Sequence, residues 1–157
     1  MKHMTPFSRS TGTTAPEAFR AQLLAAIPRL RRYARSLVFE AMHADDLVQT
    51  ALERALTHWH QFDQRRDLLV WLLSIAHNAH LDGHRRDARL TIVDPQVLAE
   101  TQDERAPGEG VDVGLRLDLL AALRRLPKEQ CEALVLVSVE QLTYAECAQV
   151  LDIPIGT

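Results

Sequence analysis

The sequence predicts an all-α protein made of two small helical domains joined by a flexible acidic linker. Apolar residues recur at three- and four-residue spacing on both sides of residues 88–113, as they do along amphipathic helices. Within 88–113 that period is broken by Pro95, Pro107 and several glycines, which is typical of a linker. The charge also changes there: residues 1–87 carry a net charge of +3 and residues 88–157 a net charge of −6.

Length and composition restrict the class of protein. A chain of 157 residues, 46% hydrophobic and 25% charged, is globular in composition and could form one domain or two small ones. Its longest apolar run is far too short to cross a bilayer, and its first residues hold no secretory apolar segment. Cys131 and Cys147 lack CxxC spacing and indicate free thiols. We therefore expect a cytoplasmic protein without membrane insertion.

Four segments follow from these patterns. Residues 1–14 are expected to be a disordered tail, whose first residues resemble a cloning remnant ahead of a native start at Met4. Residues 15–87 should form the first helical domain, residues 88–113 the acidic linker, and residues 114–157 the second domain.

The first helix should begin at Ala15, because Thr14 and Glu17 have the spacing of a capping box with a proline in the first turn. Pro28 lies inside the apolar run and predicts a kink or a break into two helices. Four arginines crowd the second half of the run, either as a surface for a nucleic acid or another protein or as a solvated face: Arg29, Arg31, Arg32 and Arg35.

The second helix should start near Ala44, where Asp45 and Asp46 would suit the positive end of the helix dipole. Its apolar face runs from Leu47 to Trp59. A loop over residues 60–66 should follow, with Phe62 turned inward.

The third helix, predicted over about Asp67–Arg86, has an apolar side and a polar side. Its apolar side includes Trp71, which we expect to pack in the core rather than to contact a ligand. Its opposite side carries Ser74, His77, His80, Leu81 and His84. Because this second side is rich in hydrogen-bond donors, we interpret it as a binding surface.

Three helices are predicted beyond the linker, over Leu115–Leu126, Lys128–Val139 and from Thr143 to about Leu151. Thr143 and Glu146 form a second capping-box pattern. The residues after Leu151 predict a turn and the first residues of another helix, which is a helix-turn-helix arrangement. The sequence stops there, so we interpret this domain as truncated before its recognition helix.

The succession of these motifs resembles the extracytoplasmic-function (group IV) sigma factors of bacterial RNA polymerase. The motifs are ADDLVQTALERAL at 44–56, WLLSIAHNAHLDGHRR at 71–86, the acidic linker, and LRRLPKEQCEALVLVSVEQLTYAECAQVLDIPIGT at 123–157. The similarity covers about Phe19 to Thr157. No single motif is decisive, but their combination in this order is specific.

The resemblance implies a protein that bridges RNA polymerase core enzyme and promoter DNA, regulated by an anti-sigma factor. No Ser-His-Asp, paired-carboxylate or phosphate-loop arrangement stands out in the sequence, so we expect neither enzyme activity nor a cofactor. In the family, the second helix docks on the polymerase core, which here implies Asp46, Leu47, Gln49, Thr50 and Glu53. The carboxy-terminal domain reads the minus-thirty-five element, and its helix-turn-helix would include Thr143, Tyr144, Glu146, Ile155, Gly156 and Thr157.

The third helix and its preceding loop read and melt the minus-ten element in the family. The residues agree with this, because capture of an unstacked base needs a pocket and donors rather than a catalytic group. We expect Asn78 to read a base and the arginines to contact phosphates. The candidate DNA-binding residues are Arg65, Arg66, Ser74, His77, Asn78, Leu81, Arg85 and Arg86.

Two positions depart from the family pattern. Thr50 stands where an acid usually follows DLVQ, which would weaken or remake one polymerase contact. His77 stands where an arginine commonly precedes the asparagine, which would make the charge facing DNA smaller and dependent on protonation. An arginine at position 77 is therefore expected to tighten promoter binding.

Other interpretations remain open at this point. A sigma-like decoy would sequester an anti-sigma factor without binding DNA, although the retained arginines and Asn78 argue against it. A helix-turn-helix repressor would bind duplex DNA without polymerase. A metal site on His77, His80 and His84 is disfavoured because no HExxH motif or cysteine ligand accompanies them.

Overall fold

The computed structural model describes residues 14–38, 40–90 and 112–156, and every regular element in those ranges is a helix. This confirms the all-α prediction. The predicted tail, apart from Thr14, and most of the predicted linker lie outside the described residues. The helices are α1 (Glu17–Leu37), α2 (Ala41–Thr57), α3 (Leu68–Leu90), α4 (Val113–Arg125), α5 (Lys128–Ser138) and α6 (Tyr144–Leu151), with a 3₁₀ turn at Trp59–Gln61.

Helices α1, α2 and α3, called the first region below, pack against one another around a shared apolar core. Leu30 and Tyr33 of α1 are fully buried, as are Leu72 and Leu73 of α3. Several core positions of α2 are alanines, including Ala51 and Ala55, which lets the neighbouring helices approach closely.

Helix α1 differs from its prediction in two ways. It begins at Glu17 instead of Ala15, with Pro16 as its N-cap residue. No side chain forms a capping hydrogen bond at this end, so Thr14 does not form the predicted capping box. It also continues through Pro28 as a single helix instead of breaking. Pro28 is exposed, and Leu23 and Leu30 on either side are buried in the same core, which offsets the missing backbone hydrogen bond.

The other helix starts vary in their agreement with prediction. Helix α2 begins at Ala41 instead of Ala44, because Ala44 itself is buried and donates its backbone N–H to the Glu40 carbonyl. Helix α3 starts within one residue of its prediction, with the Asp67 carboxylate accepting from Leu69 N at 2.8 Å. The predicted capping box at Thr143 is confirmed at the start of α6.

Helices α4, α5 and α6, called the second region below, are in direct contact with the first. Helix α6 packs against α3, and α5 packs against α1. The apolar core continues across this boundary through Leu136 of α5 and Cys147 and Val150 of α6. Helix α4, in contrast, has no buried residue. Across the described ranges, no helix is both long and apolar enough to cross a membrane.

Candidate nucleic-acid interface

Three aromatic rings support the loop that precedes α3. Phe62 lies 5.1 Å from Trp71 and 5.9 Å from Phe19, measured between ring centroids, and Phe19 and Trp71 meet edge to face. Trp71 is thus a packing residue, as its helical position predicted, and Phe62 is turned inward. A cavity of about 280 Å³ lies beside this cluster and is also bordered by Trp59, His60, Asp63 and Gln64.

Two arginines directly follow Asp63 and Gln64, which border that cavity. The Asp63 carboxylate accepts from Arg65 N at 3.0 Å, and the Asp63 carbonyl accepts from Arg66 N at 2.9 Å. These bonds fix the turn through its backbone and leave the side chains of Arg65 and Arg66 exposed. The guanidinium groups are therefore available to a phosphate or a base.

Helix α3 carries a second exposed group of candidate residues. Asn78, Leu81 and Arg85 follow at three- and four-residue spacing on one face, and all three are exposed. Arg86 is exposed beside them. Asn78, Arg85 and Arg86 thus supply exposed donors of the kind that contact a nucleic-acid backbone.

Ser74 and His77 are not at the free surface that the sequence predicts for them. Ser74 is half-buried and donates to the Val70 carbonyl at 2.9 Å. His77 is only 6% exposed, and its Nδ1 lies 2.5 Å from Oε1 of Glu132 on α5. Sequence periodicity placed both residues on a polar face, but α5 and α6 cover that face.

Glu132 is the residue that sequence reasoning missed. Its Oε1 accepts a second hydrogen bond from the hydroxyl of Tyr33 on α1, and all three side chains of this cluster are buried. Burial, with the nearby Glu132 carboxylate, raises the pKa of Tyr33 far above its usual value, so the hydroxyl stays protonated and donates. One carboxylate thus ties α5 to both α1 and α3.

The arginines of α1 meet a second glutamate. The Glu140 side chain is completely buried and accepts from Arg29 Nε at 2.8 Å and from Arg32 Nε at 2.7 Å. Arg29 also donates to the Glu140 carbonyl. The bond to Glu140 raises the pKa of Arg32 above its already high value. Arg29 and Arg32 therefore bind the second region, a contact that the sequence did not predict.

The three histidines on the polar side of α3 are not arranged as a metal site. The rings of His80 and His84 meet edge to face at 4.4 Å, and His84 Nε2 lies 3.2 Å from Lys128 Nζ. His77 faces Glu132 instead. In the ranges that the structure covers, no group of three or more His, Cys, Asp or Glu side chains is placed to hold a metal ion.

The candidate polymerase-binding residues occupy α2. Asp46, Gln49 and Glu53 are exposed on one face, and Thr50 is half-buried with its hydroxyl donating to the Asp46 carbonyl at 2.9 Å. Leu47 lies in the core of the first region. The structure therefore leaves the polar members of this set open to a partner and places Leu47 where it stabilises the helix.

The helix-turn-helix candidates lie at the start and just beyond the end of α6. Thr143 and Glu146 bond each other reciprocally, with Thr143 N donating to Glu146 Oε2 at 2.8 Å. Tyr144 and Ile155 are strongly exposed, and Gly156 has a positive φ of 94°. Thr157 lies outside the described residues.

Comparisons with known proteins match both helical regions to known families. Residues 23–77 match the family described as the Sigma2 domain of PhyR, and residues 116–157 match Sigma-70, region 4. These matches define a sigma-type protein with two helical regions. The ECF RNA polymerase sigma factor EcfG of Rhodopseudomonas palustris is 34% identical over 141 residues, which cover 90% of this chain and 77% of that protein. The chain belongs to the ECF sigma factors of RNA polymerase.

Further relatives and a solved structure are consistent with this family. The RNA polymerase sigma-E factor of Streptomyces coelicolor is 31% identical over 128 residues, covering 82% of this chain and 70% of that protein. The fold resembles the sigma factor RpoE in complex with the anti-sigma factor NepR from Bartonella quintana. That structure has a TM-score of 0.79 and 28% identity, and the match covers 90% of this chain and 87% of that one.

Proposed function

We propose that this sigma factor directs RNA polymerase core enzyme to promoters and opens the minus-ten region with α3 and the loop before it. The supporting observation is the exposure of Arg65 and Arg66, which directly follow two residues of an aromatic-bordered cavity, and of Asn78 and Arg85 further along α3. Arginines there would hold the phosphate backbone, and the cavity would accept an unstacked base. The protein would then position itself on the promoter and melt the minus-ten region through binding alone, without a catalytic group.

Polymerase docking is assigned to α2. Its face of Asp46, Gln49 and Glu53 is exposed and so is accessible to a partner. We place the two functional domains at residues 15–87 and 114–157, joined by the acidic linker 88–113. The second would contribute minus-thirty-five recognition through its helix-turn-helix. The site of action is the cytoplasm, where polymerase and DNA are found.

An anti-sigma factor is the proposed regulator. The support is the similarity to a sigma factor that was solved in complex with its anti-sigma factor, at 28% identity over nearly the whole chain. Such a partner would bind the sigma factor until a signal releases it.

The test is transcription from a randomised promoter library by bacterial RNA polymerase core enzyme, with and without the full chain. We expect transcripts with a shared upstream motif only when the chain is present. Arg85→Ala with Arg86→Ala should lower promoter affinity and reduce its salt dependence by about two phosphate contacts. Arg116→Ala with Arg125→Ala, at exposed positions on α4 outside the candidate surfaces, is the matched control. Failure of the chain to bind core enzyme at low salt would refute the proposal.

A decoy that sequesters an anti-sigma factor is the second candidate. The burial of His77 and the partial burial of Ser74 beneath the second region favour it, since a decoy needs no accessible DNA-binding face. The same transcription assay separates the two functions, because a decoy would bind an anti-sigma factor and yield no promoter-specific transcripts.

A further inference from the structure

We propose that a groove between α1 and the start of α3 binds one nucleotide, that is, a planar base together with its phosphate. The inference deepens the proposed function and rests on it, because single-stranded promoter DNA carries such units; a free nucleotide has the same chemistry. The groove has a volume of about 480 Å³, which is within the usual range for small-molecule sites. Of the described residues that line it, only Gln64 also borders the aromatic-bordered cavity.

One wall of the groove is apolar. Ala25 and Ala26 contribute to it from α1, and Leu68 and Leu69 contribute from the first turn of α3. Ala26, Leu68 and Leu69 belong to the buried core, so the packing of the first region fixes this wall. The small alanine side chains leave room for a flat ring, which would lose contact with water against the apolar wall.

Two arginines also line the groove, and they differ in how their charge is balanced. Arg29 donates through Nε and Nη2 to the side chain and the carbonyl of Glu140, which holds its guanidinium plane in place and leaves Nη1 for a ligand. Arg66 is exposed, and its backbone N–H donates to the Asp63 carbonyl. Because Glu140 already balances the charge of Arg29, we assign the phosphate to Arg66 and stacking on the base to the planar Arg29 group.

The other polar side chains of the groove favour a base over a simple anion. Gln22 and Gln64 each offer donors and an acceptor, and Asp67 offers acceptors. The Asp67 Oδ1 atom accepts from Leu69 N at 2.8 Å, which fixes the carboxylate at the start of α3. A base edge presents both donors and acceptors and can use this mixture, whereas Asp67 would repel a phosphate beside it. The phosphate therefore belongs at the Arg66 end of the groove.

The position of Gln64 relates the groove to the aromatic-bordered cavity. Gln64 lines both spaces, and α1 contributes to both as well, through Phe19 to the cavity and through Gln22 to the groove. A DNA strand that crosses the loop at Gln64 would therefore pass from one space to the other. The groove would hold a base in addition to the one assigned to the cavity.

The experiment compares the full chain with Ala25→Phe, which fills the groove without removing a charge, and with Gln22→Ala. Ala21→Phe is the matched control, because Ala21 is exposed on α1 outside the groove and its side chain tilts away from Ala25, toward the amino terminus of the helix. Each protein is titrated separately with the four deoxynucleoside 5′-monophosphates, with inorganic phosphate and with a random-sequence single-stranded 20-mer DNA. Amide chemical shifts of Arg66 and Leu69 locate the binding site. Circular dichroism identifies loss of helix, and Gln22→Ala decides the test if Ala25→Phe does not fold.

We expect at least one monophosphate to shift the amide signals of both Arg66 and Leu69, and inorganic phosphate to leave the Leu69 signal in place. Ala25→Phe should lower the affinity by roughly tenfold, as for the loss of one stacked base, and Gln22→Ala should act in the same direction. Ala21→Phe should leave the affinity unchanged. Equal shifts with inorganic phosphate and with the nucleotides would overturn the proposal in favour of a simple anion site.

The oligonucleotide identifies the source of the nucleotide. A loss of oligonucleotide affinity in Ala25→Phe but not in Ala21→Phe assigns the groove to a DNA strand, even where single monophosphates bind too weakly to be detected. Loss of monophosphate binding with unchanged oligonucleotide affinity assigns it to a free nucleotide. No amide shift with any monophosphate, together with unchanged oligonucleotide affinity in the groove variants, would overturn the proposal. Absence of promoter-specific transcription by the full chain would instead refute the proposed function and leave the nucleotide result standing.

Discussion

The contact between Glu132 and His77 shows that the role of a residue depends on the side chain that packs against it. On α3 alone, His77 belongs to a polar face and suits a DNA contact. In the folded chain its Nδ1 lies 2.5 Å from a buried carboxylate 55 residues away. An arginine at position 77 would therefore have to fit a closed space beside Tyr33 and Glu132, and overpacking there would favour separation of the regions.

Capping offers the sharpest prediction for a single side chain. Thr143 and Glu146 form both bonds of a capping box at the start of α6. Replacing Thr143 by alanine should lower the free energy of unfolding by about 1 kcal/mol, because a backbone N–H loses its acceptor. Urea denaturation measures this change.

Thr14→Ala is the natural control for that measurement. Thr14 stands in the same sequence pattern, yet no side chain caps α1. Its replacement should leave the free energy of unfolding unchanged within error. An equal loss for both variants would contradict the capping geometry described for these two helices.

At the scale of elements, the sequence was a good guide to which segments are helical and a poorer guide to where they begin. Periodic apolar positions predicted α3 to within one residue at its start, since Asp67 supplies a local cap. Helix α2 began three residues early because tertiary burial of Ala44 outweighed the local preference for acids at the amino terminus. Local signals compete with tertiary packing, and only the local signals can be recognised in the sequence.

Pro28 gives the prediction that belongs to α1. This proline is exposed inside a continuous helix, and it has no N–H to offer the Leu24 carbonyl one turn earlier. Pro28→Ala should raise the free energy of unfolding by about 2 kcal/mol, after allowing for the greater freedom of the unfolded chain. Chemical denaturation followed by circular dichroism tests it.

The same helix provides a control of opposite sign. Ala25 is also exposed, and Ala25→Gly should lower the free energy of unfolding by about 1 kcal/mol because glycine is a poor helix former. If Pro28→Ala proved destabilising while Ala25→Gly behaved as expected, a bend at Pro28 would be needed for the packing of α1.

At the scale of the whole molecule, the two regions and the family could be predicted from the sequence, but their contact could not. Three of the bonds that join the regions link residues about a hundred positions apart: Tyr33 with Glu132, and Arg29 and Arg32 with Glu140. The two arginines and the two glutamates, taken alone, suit a solvated surface. Only the fold shows that α1 and α5 bring them together, so no local pattern could have revealed the inter-region contact.

The inter-region boundary also makes stability depend on pH. His80 lies on the covered part of α3, and its pKa is lowered to about 4, first by burial and then by the neighbouring His84. Lys128 and His77 lower it further, while Glu132 opposes them. In the unfolded chain the pKa returns to about 6.5, so the unfolded state takes up a proton first as the pH falls. His80 therefore contributes stability above pH 6.5 that is lost between about 6.5 and 4.

The thermal midpoint of the full chain should accordingly fall as the pH is lowered from 7.5 to 4.5. His80→Gln, which keeps a polar side chain but cannot take up the proton, should show a smaller fall over the same range. The difference between the two curves isolates His80 from the carboxylates, since these titrate in both proteins. Parallel curves, or a wild-type midpoint that rises on acidification relative to the variant, would show that burial does not hold His80 in its neutral form. A difference confined to the range between about pH 6.5 and 4 would instead show that His80, at the boundary between the two regions, contributes to the acid sensitivity.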